Sequence, residues 1–326
     1  MTSVQNSTPQ DNAVPSNAEH DVATTASAPA PKRDDRTSRT LGRLGAFWSD
    51  FRSQPMGLIG LAMLTLCVLA ALLAPIMFPE DMLNVSKTNN PVNLPPGGEF
   101  PLGTDHRGIS VLAQLAWGAR ASLLVGFAAT AISMVIGTIF GMAAGHFHGF
   151  TQGVLMRIID FFLVIPSLVL AITLSAIIGP GVLTIIIAIG VTGWASTARV
   201  VRSQTLMIET QAYIERARAL GAGSTHILTR HVLPGVMPLV LAQTTLAVAL
   251  AVISESTLAF LGLGNPAVPS WGSMLKGAMD SGAATAGFWW TVLSPGIAIV
   301  IAVLAFTLIG RALETVFNPA LKGASK

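Results

Sequence analysis

The chain has 326 residues, 52% of them hydrophobic and 11% charged, with a formal net charge of +3 and a mean hydropathy of +0.63. Soluble domains carry about 25% charged residues, so this composition excludes an ordinary soluble enzyme and points to a polytopic membrane protein. Its basic residues flank apolar runs, so the charge is read as membrane topology and not as a nucleic-acid footprint.

Residues 1–45 are polar and rich in Ser, Thr, Ala, Pro and Asn. They hold too little apolar surface to form a core and are expected to be a disordered tail. The first apolar run begins near Met56, too long and too far along the chain for a cleavable leader. It reads as a retained membrane helix. A membrane helix needs about 20 apolar residues, and six segments qualify: 57–77, 121–144, 161–179, 182–198, 232–254 and 291–310. None contains Asp, Glu, Lys or Arg. The fold class is therefore all-α with six membrane spans.

Features along these segments carry their own expectations. Cys67 is the single cysteine, so it forms no intrachain disulfide and reads as a small apolar residue. The external segment after the first span is turn-like at Asn93 to Gly98, and Asp105 is placed to cap a short helix reaching Trp117. Gly141 and Gly145 have the four-residue spacing that favours close helix contact. His146 and His148 have no Cys or acidic neighbour in the sequence and make a poor metal site. Pro166 is placed to kink the third span. Gly179-Pro180-Gly181 is a turn between the third and fourth. Trp271, Trp289 and Trp290, in the second external segment, are expected to anchor the membrane interface.

An even number of spans puts both termini on one side. Lys87, Arg107, Arg120 and Lys276 fall on the opposite side, leaving 15 of the 19 basic residues with the termini. The positive-inside bias makes that majority side cytoplasmic, together with the 199–231 loop. Within this loop, Glu215 to Leu220 are strong helix formers, and Gly221 is placed to stop the helix in a left-handed conformation. Pro234 and Pro238 fall at the start of the next span, where proline is tolerated. On these grounds alone the segment is a capped interfacial helix.

Two acids lie at span boundaries. Glu255, at the outer end of the fifth span, is a candidate for the translocation path, where it would attract a substrate ammonium; it can equally pair with a polar group between helices or lie at the interface. Asp160 is a second path candidate, with a partner expected in Arg157 at helical spacing. The sequence holds no Ser-His-Asp grouping and no phosphate-cradling Gly-Lys-Ser loop, so no catalytic residue, metal ligand or cofactor is assigned to this chain.

Glu215, Ala217, Gly221, Leu233 and Pro234 have the spacing and inter-span position of the "EAA" signature of ABC importer permeases, which the chain resembles. Arg216 replaces an Ala of that signature, and His231 stands where Ile is common. The stretches Phe100 to Gly108, Gly118 to Gly126, Ser254 to Gly264 and Pro269 to Gly272 look like the C-type permeases of dipeptide and oligopeptide importers. The segment Gly108 to Val111 departs from them by lacking Arg-Asp after the Gly.

The resemblance implies that Glu215, Arg216, Ala217, Arg218, Gly221, His231, Leu233 and Pro234 couple the subunit to a cytoplasmic ATPase. It implies a second homologous permease, two ATP-binding subunits that use ATP and Mg, and an extracytoplasmic binding protein, in the cytoplasmic (inner) membrane of a bacterium. Lipid is the surrounding medium, and nucleic acid is not a partner. The domain reading is a tail at 1–45, a first helix with its external segment at 46–120, a core permease domain with five spans and the coupling loop at 121–320, and a C-terminal tail at 321–326. A nickel chelate or another small solute is the alternative cargo. A self-contained secondary transporter is one alternative class, disfavoured because no charged residue lies near a span centre; a channel is another, and would not need the Glu215 to Pro234 arrangement.

Overall fold

The structure is a computed structural model and describes residues 48–317. The expected tails at 1–45 and 321–326 lie outside those residues. Within them the chain forms α1 (Pro55–Met77), α2 (Val111–His146), α3 (Phe150–Val164), α4 (Ser167–Ile178), α5 (Val182–Thr192), α6 (Trp194–Glu209), α7 (Ala212–Ala219), α8 (Ser224–Ile227), α9 (Leu233–Phe260), α10 (Trp271–Asp280) and α11 (Trp289–Phe317). No strand forms among the described residues, and only two isolated β-bridges appear, both in the external segment.

Five stretches are long and apolar enough to cross a membrane: α1, α2, 182–209, 224–260 and α11. The third expected span is not one helix. Its apolar run is divided between α3 and α4, which meet at 86° across Ile165 and Pro166; counted as one broken span, the pair makes six. Proline removes a backbone donor and restricts the residue before it to extended geometry, and Ile165 is extended. The expected kink is thus a full break.

Other boundaries also move. Helix α2 begins at Val111, ten residues before the expected second span, and crosses the 120/121 division. At 36 residues it is about 54 Å long, well beyond a hydrocarbon core of about 30 Å. Ser110 caps it, accepting from Ala113 N at 3.4 Å. Asp105, expected to be the cap, instead organises the preceding loop. It accepts from Arg107 N, Ile109 N and Gln114 Nε2 at 2.8, 2.9 and 2.9 Å. Gly179 ends α4 with φ +104°, as a turn there requires. Helix α6 carries the fourth span on to Glu209, so the first third of the expected loop is helical.

Helix α2 is the central pillar, packed against α1, α5, α6, α9 and, near its N-terminal end, α10. The α2–α6 contact is the most extensive of these. An added Cβ on Gly141 would lie 2.5 Å from Ala198 O and 2.8 Å from Val201 Cβ, and Gly137 and Gly145 meet Thr197 and Thr205 in the same way. Such a stripe allows two backbones to touch where lipid supplies no hydrophobic driving force. Helix α1 packs chiefly on α11 and α2 among the described residues and exposes Leu66, Leu72 and Ile76. An apolar exposed face of this kind suits lipid contact.

Two of the three tryptophans expected at the interface are core residues. Trp271 is 2% and Trp290 6% exposed, while Trp289 is 57% exposed. Each buried indole donates to a backbone oxygen, Trp271 to Leu115 and Trp290 to Thr104, both at 3.1 Å. A buried indole N–H must find such a partner, and here the bonds tie Trp271 to α2 and Trp290 to the segment before α2.

Candidate coupling site and translocation cavity

The charged loop folds as a short exposed helix held by one apolar pin. In α7 only Ile214 is buried, at 0% exposure. It sits in a cluster with Val201 and Ile208 of α6 and Val232, Val236 and Val240 at the start of α9. Burying one such side chain is worth about 1.5–3 kcal/mol. Helix α7 is therefore docked rather than free. Gly221 takes φ +86°, as expected of a left-handed stop. Ala222 N donates to Ala217 O at 3.0 Å and Gly221 N to Arg218 O at 2.9 Å, closing the last turn.

Glu215, Arg216, Arg218 and Gly221 are exposed, and Ala217 is half-buried. Tyr213 and Leu220 are 46% and 88% exposed. Seven residues separate them, so both lie on one face, with Ala217 between them. They leave exposed apolar surface on an otherwise polar loop. The sequence reading missed Tyr213 and Leu220, although their spacing was the available signal.

His231, Leu233 and Pro234 stand at the foot of α9. His231 packs near Tyr213 and His226, with ring centroids 5.9 and 5.6 Å apart. Leu233 borders the Ile214 cluster, and Pro234 is exposed. Residues Leu228–Val232 form a π-turn in which Leu233 N bonds to Leu228 O. Pro234 has no N–H to give, and its ring would crowd the carbonyl four residues back; a wide turn just before it relieves both.

Two arginines find carboxylates across the fold. Arg218 bonds to Glu209, the last residue of α6. The other oxygen of Glu209 lies 2.6 Å from His146 Nδ1. His146 thus has an acidic companion that its sequence neighbours did not reveal. Asp160 accepts from Arg199 of α6 at 2.7 Å, not from Arg157 as expected.

Above this region a cavity of about 330 Å³ opens among α2, the α3–α4 break, α6 and α9. Its polar lining is hydroxyl and amide: Thr130, Ser133, Ser167, Ser196, Thr197, Gln243 and Ser254 among others. No Asp, Glu, Lys or Arg lines it, and neither path candidate does. Glu255 is 2% exposed and accepts from Ser122 Oγ at 2.8 Å and Ser256 Oγ at 3.3 Å. Ser122 Oγ in turn accepts from Trp271 N at 3.3 Å. The carboxyl thus joins α2 to α9 and, through Ser122, reaches α10, while Asp160 pairs with Arg199.

The family described as binding-protein-dependent transport system inner membrane component matches residues 137–323. The N-terminal TM domain of oligopeptide transport permease C matches residues 43–96. The dipeptide transport system permease protein DppC of Bacillus subtilis is 35% identical, covering 84% of this chain and 85% of that protein. The oligopeptide permease OppC of the same organism is 34% identical, covering 85% and 91%. The glutathione permease GsiD of Pectobacterium atrosepticum is 32% identical, covering 90% and 96%. A solved chain of the MetNI methionine ABC transporter, in inward-facing conformations, shares the fold with a TM-score of 0.52 at 22% identity, covering 62% of this chain and 96% of that one.

Proposed function

We propose a function from the premise that this chain belongs to the binding-protein-dependent transport system inner membrane components, in their oligopeptide permease C branch. It is the permease subunit of an ATP-driven ABC importer of dipeptides or oligopeptides. As a transport permease it is not an enzyme in itself. ATP, with its Mg, is hydrolysed by two cytoplasmic partner subunits. A second homologous permease completes the path, and an extracytoplasmic binding protein delivers the solute. The membrane is the bacterial inner membrane, with both termini and α7 cytoplasmic.

The observation that carries the coupling part is α7: a capped helix whose one buried side chain is Ile214, presenting Tyr213 and Leu220 outward with Ala217 between them. The uncharged cavity supports the cargo part. A wall of hydroxyls and amides matches a peptide backbone and imposes no charge preference on the side chains passing it. The function is tested by co-expressing the chain with a homologous second permease and the ATPases of such an importer. Vesicles containing the complex are expected to retain the ATPases and to accumulate a labelled tripeptide only with ATP and binding protein. Accumulation of a nickel chelate instead of the peptide would select the alternative cargo, and uptake without ATPases would make the chain a self-contained transporter.

Orientation is checked separately. With Cys67→Ala as background, Thr225→Cys in the exposed loop is expected to react with an impermeant maleimide only after the cells are opened. Efficient labelling in intact cells would reverse the topology.

A further inference from the structure

We propose that Glu209 is the positioning residue that binds the docking helix α7 to the α2–α6 pair, so that displacing α7 moves the wall of the cavity. The inference rests on the function proposed above and deepens it.

Helices α2 and α6 act as one body. Gly137, Gly141 and Gly145 bring their backbones into contact over more than two turns. Arg202 Nε also donates to Ala144 O at 3.4 Å near their shared end. Packed backbones of this kind move together rather than deform. Both helices line the cavity, α2 through Thr130 and Ser133 and α6 through Ser196 and Thr197.

Glu209 sits where the two helices finish, at the last residue of α6 beside His146, the last residue of α2. Its side chain is 8% exposed. One carboxylate oxygen accepts from His146, and the other accepts from Arg218 of α7. A carboxylate only accepts, so the His146 nitrogen facing it carries the proton. One side chain therefore joins three helix ends.

The other attachment of α7, the Ile214 cluster, includes Met134 of α2 but draws mainly on α6 and α9. Apolar contact is non-directional and permits sliding between those two helices. The bonds to Glu209 have direction and select the α2–α6 body. Twelve residues of α6 separate Thr197 from Glu209, about 18 Å of helix. A shift of α7 is delivered along that rod to the cavity.

The test uses the reconstituted complex with its ATPases and reads three quantities: ATPase retained, ATP hydrolysed, and labelled tripeptide moved per ATP. Glu209→Gln keeps the size of the side chain and removes its charge. It is expected to retain the ATPases at the wild-type level while the peptide moved per ATP falls about ten-fold, within the usual range of coupling between sites. Glu209→Asp keeps the carboxylate and is expected to recover most of that ratio. A wild-type ratio in Glu209→Gln would overturn the proposal. So would loss of ATPase retention in step with transport, which would make Glu209 a docking or folding residue. Failure of the wild-type complex to retain ATPases would bring down the proposed function, and this inference with it.

Discussion

Vesicles carrying Gly221→Asp are expected to hold normal amounts of the permease, lose most of the associated ATPase, and lose peptide uptake. Gly221 has φ +86°, and nothing lies within 4 Å of an added Cβ. The side chain would not collide with the subunit itself. Its internal costs are about 1 kcal/mol of backbone strain and about 0.3–1 kcal/mol for a negative charge at a helix C-terminus. A single misplaced turn at the surface does not prevent insertion, because the residue lies outside every span. The larger effect falls on docking, since the added carboxylate stands beside the exposed Leu220. Ala217→Glu is expected to act alike, by placing a long charged side chain between Tyr213 and Leu220. Uptake and ATPase retention at matched membrane abundance are the measurements. Wild-type values in both variants would reduce α7 to an interfacial helix and remove the coupling assignment.

Gly141→Leu is expected to remove the folded protein from the membrane altogether. The first added carbon already falls 2.5 Å from the backbone oxygen of Ala198, which no rotamer change relieves. Overpacking a tight core costs about 1–3 kcal/mol when neighbours can shift. Here the obstacle is main chain, and the contact it opens is the most extensive helix pairing among the described residues. Separating α2 from α6 would also strip packing from Ala198 and Val201, both almost fully buried. Abundance in membranes and the unfolding temperature of purified protein should both collapse. Gly153→Ala is the control, because its added Cβ meets nothing within 4 Å in α3. It should be neutral or slightly stabilising, since alanine favours a helix over glycine by about 1 kcal/mol. Normal abundance of Gly141→Leu would mean that the α2–α6 contact is not as close as described.

What the sequence determined by itself was local or periodic. Apolar length located the spans, because crossing hydrocarbon is a requirement on consecutive residues. Helix propensity and one glycine defined α7 and its stop, because a left-handed turn is a property of a single residue. The four-residue spacing of Gly141 and Gly145 was legible for the same reason, although the partner helix was not. Pro166 announced a disturbance, but whether it would kink or break the span depended on what α3 and α4 packed against.

Tertiary structure alone decided which polar groups meet. Glu255 lies 133 residues from Ser122, and Glu209 lies 63 from His146. Asp160 takes Arg199, 39 residues away, over the arginine three residues before it. Trp271 and Trp290 left the interface for the core because backbone oxygens of Leu115 and Thr104 were waiting there, 156 and 186 residues distant. No period or propensity encodes such pairings. Burial makes an unpaired polar group costly, and the fold determines which distant partner satisfies it.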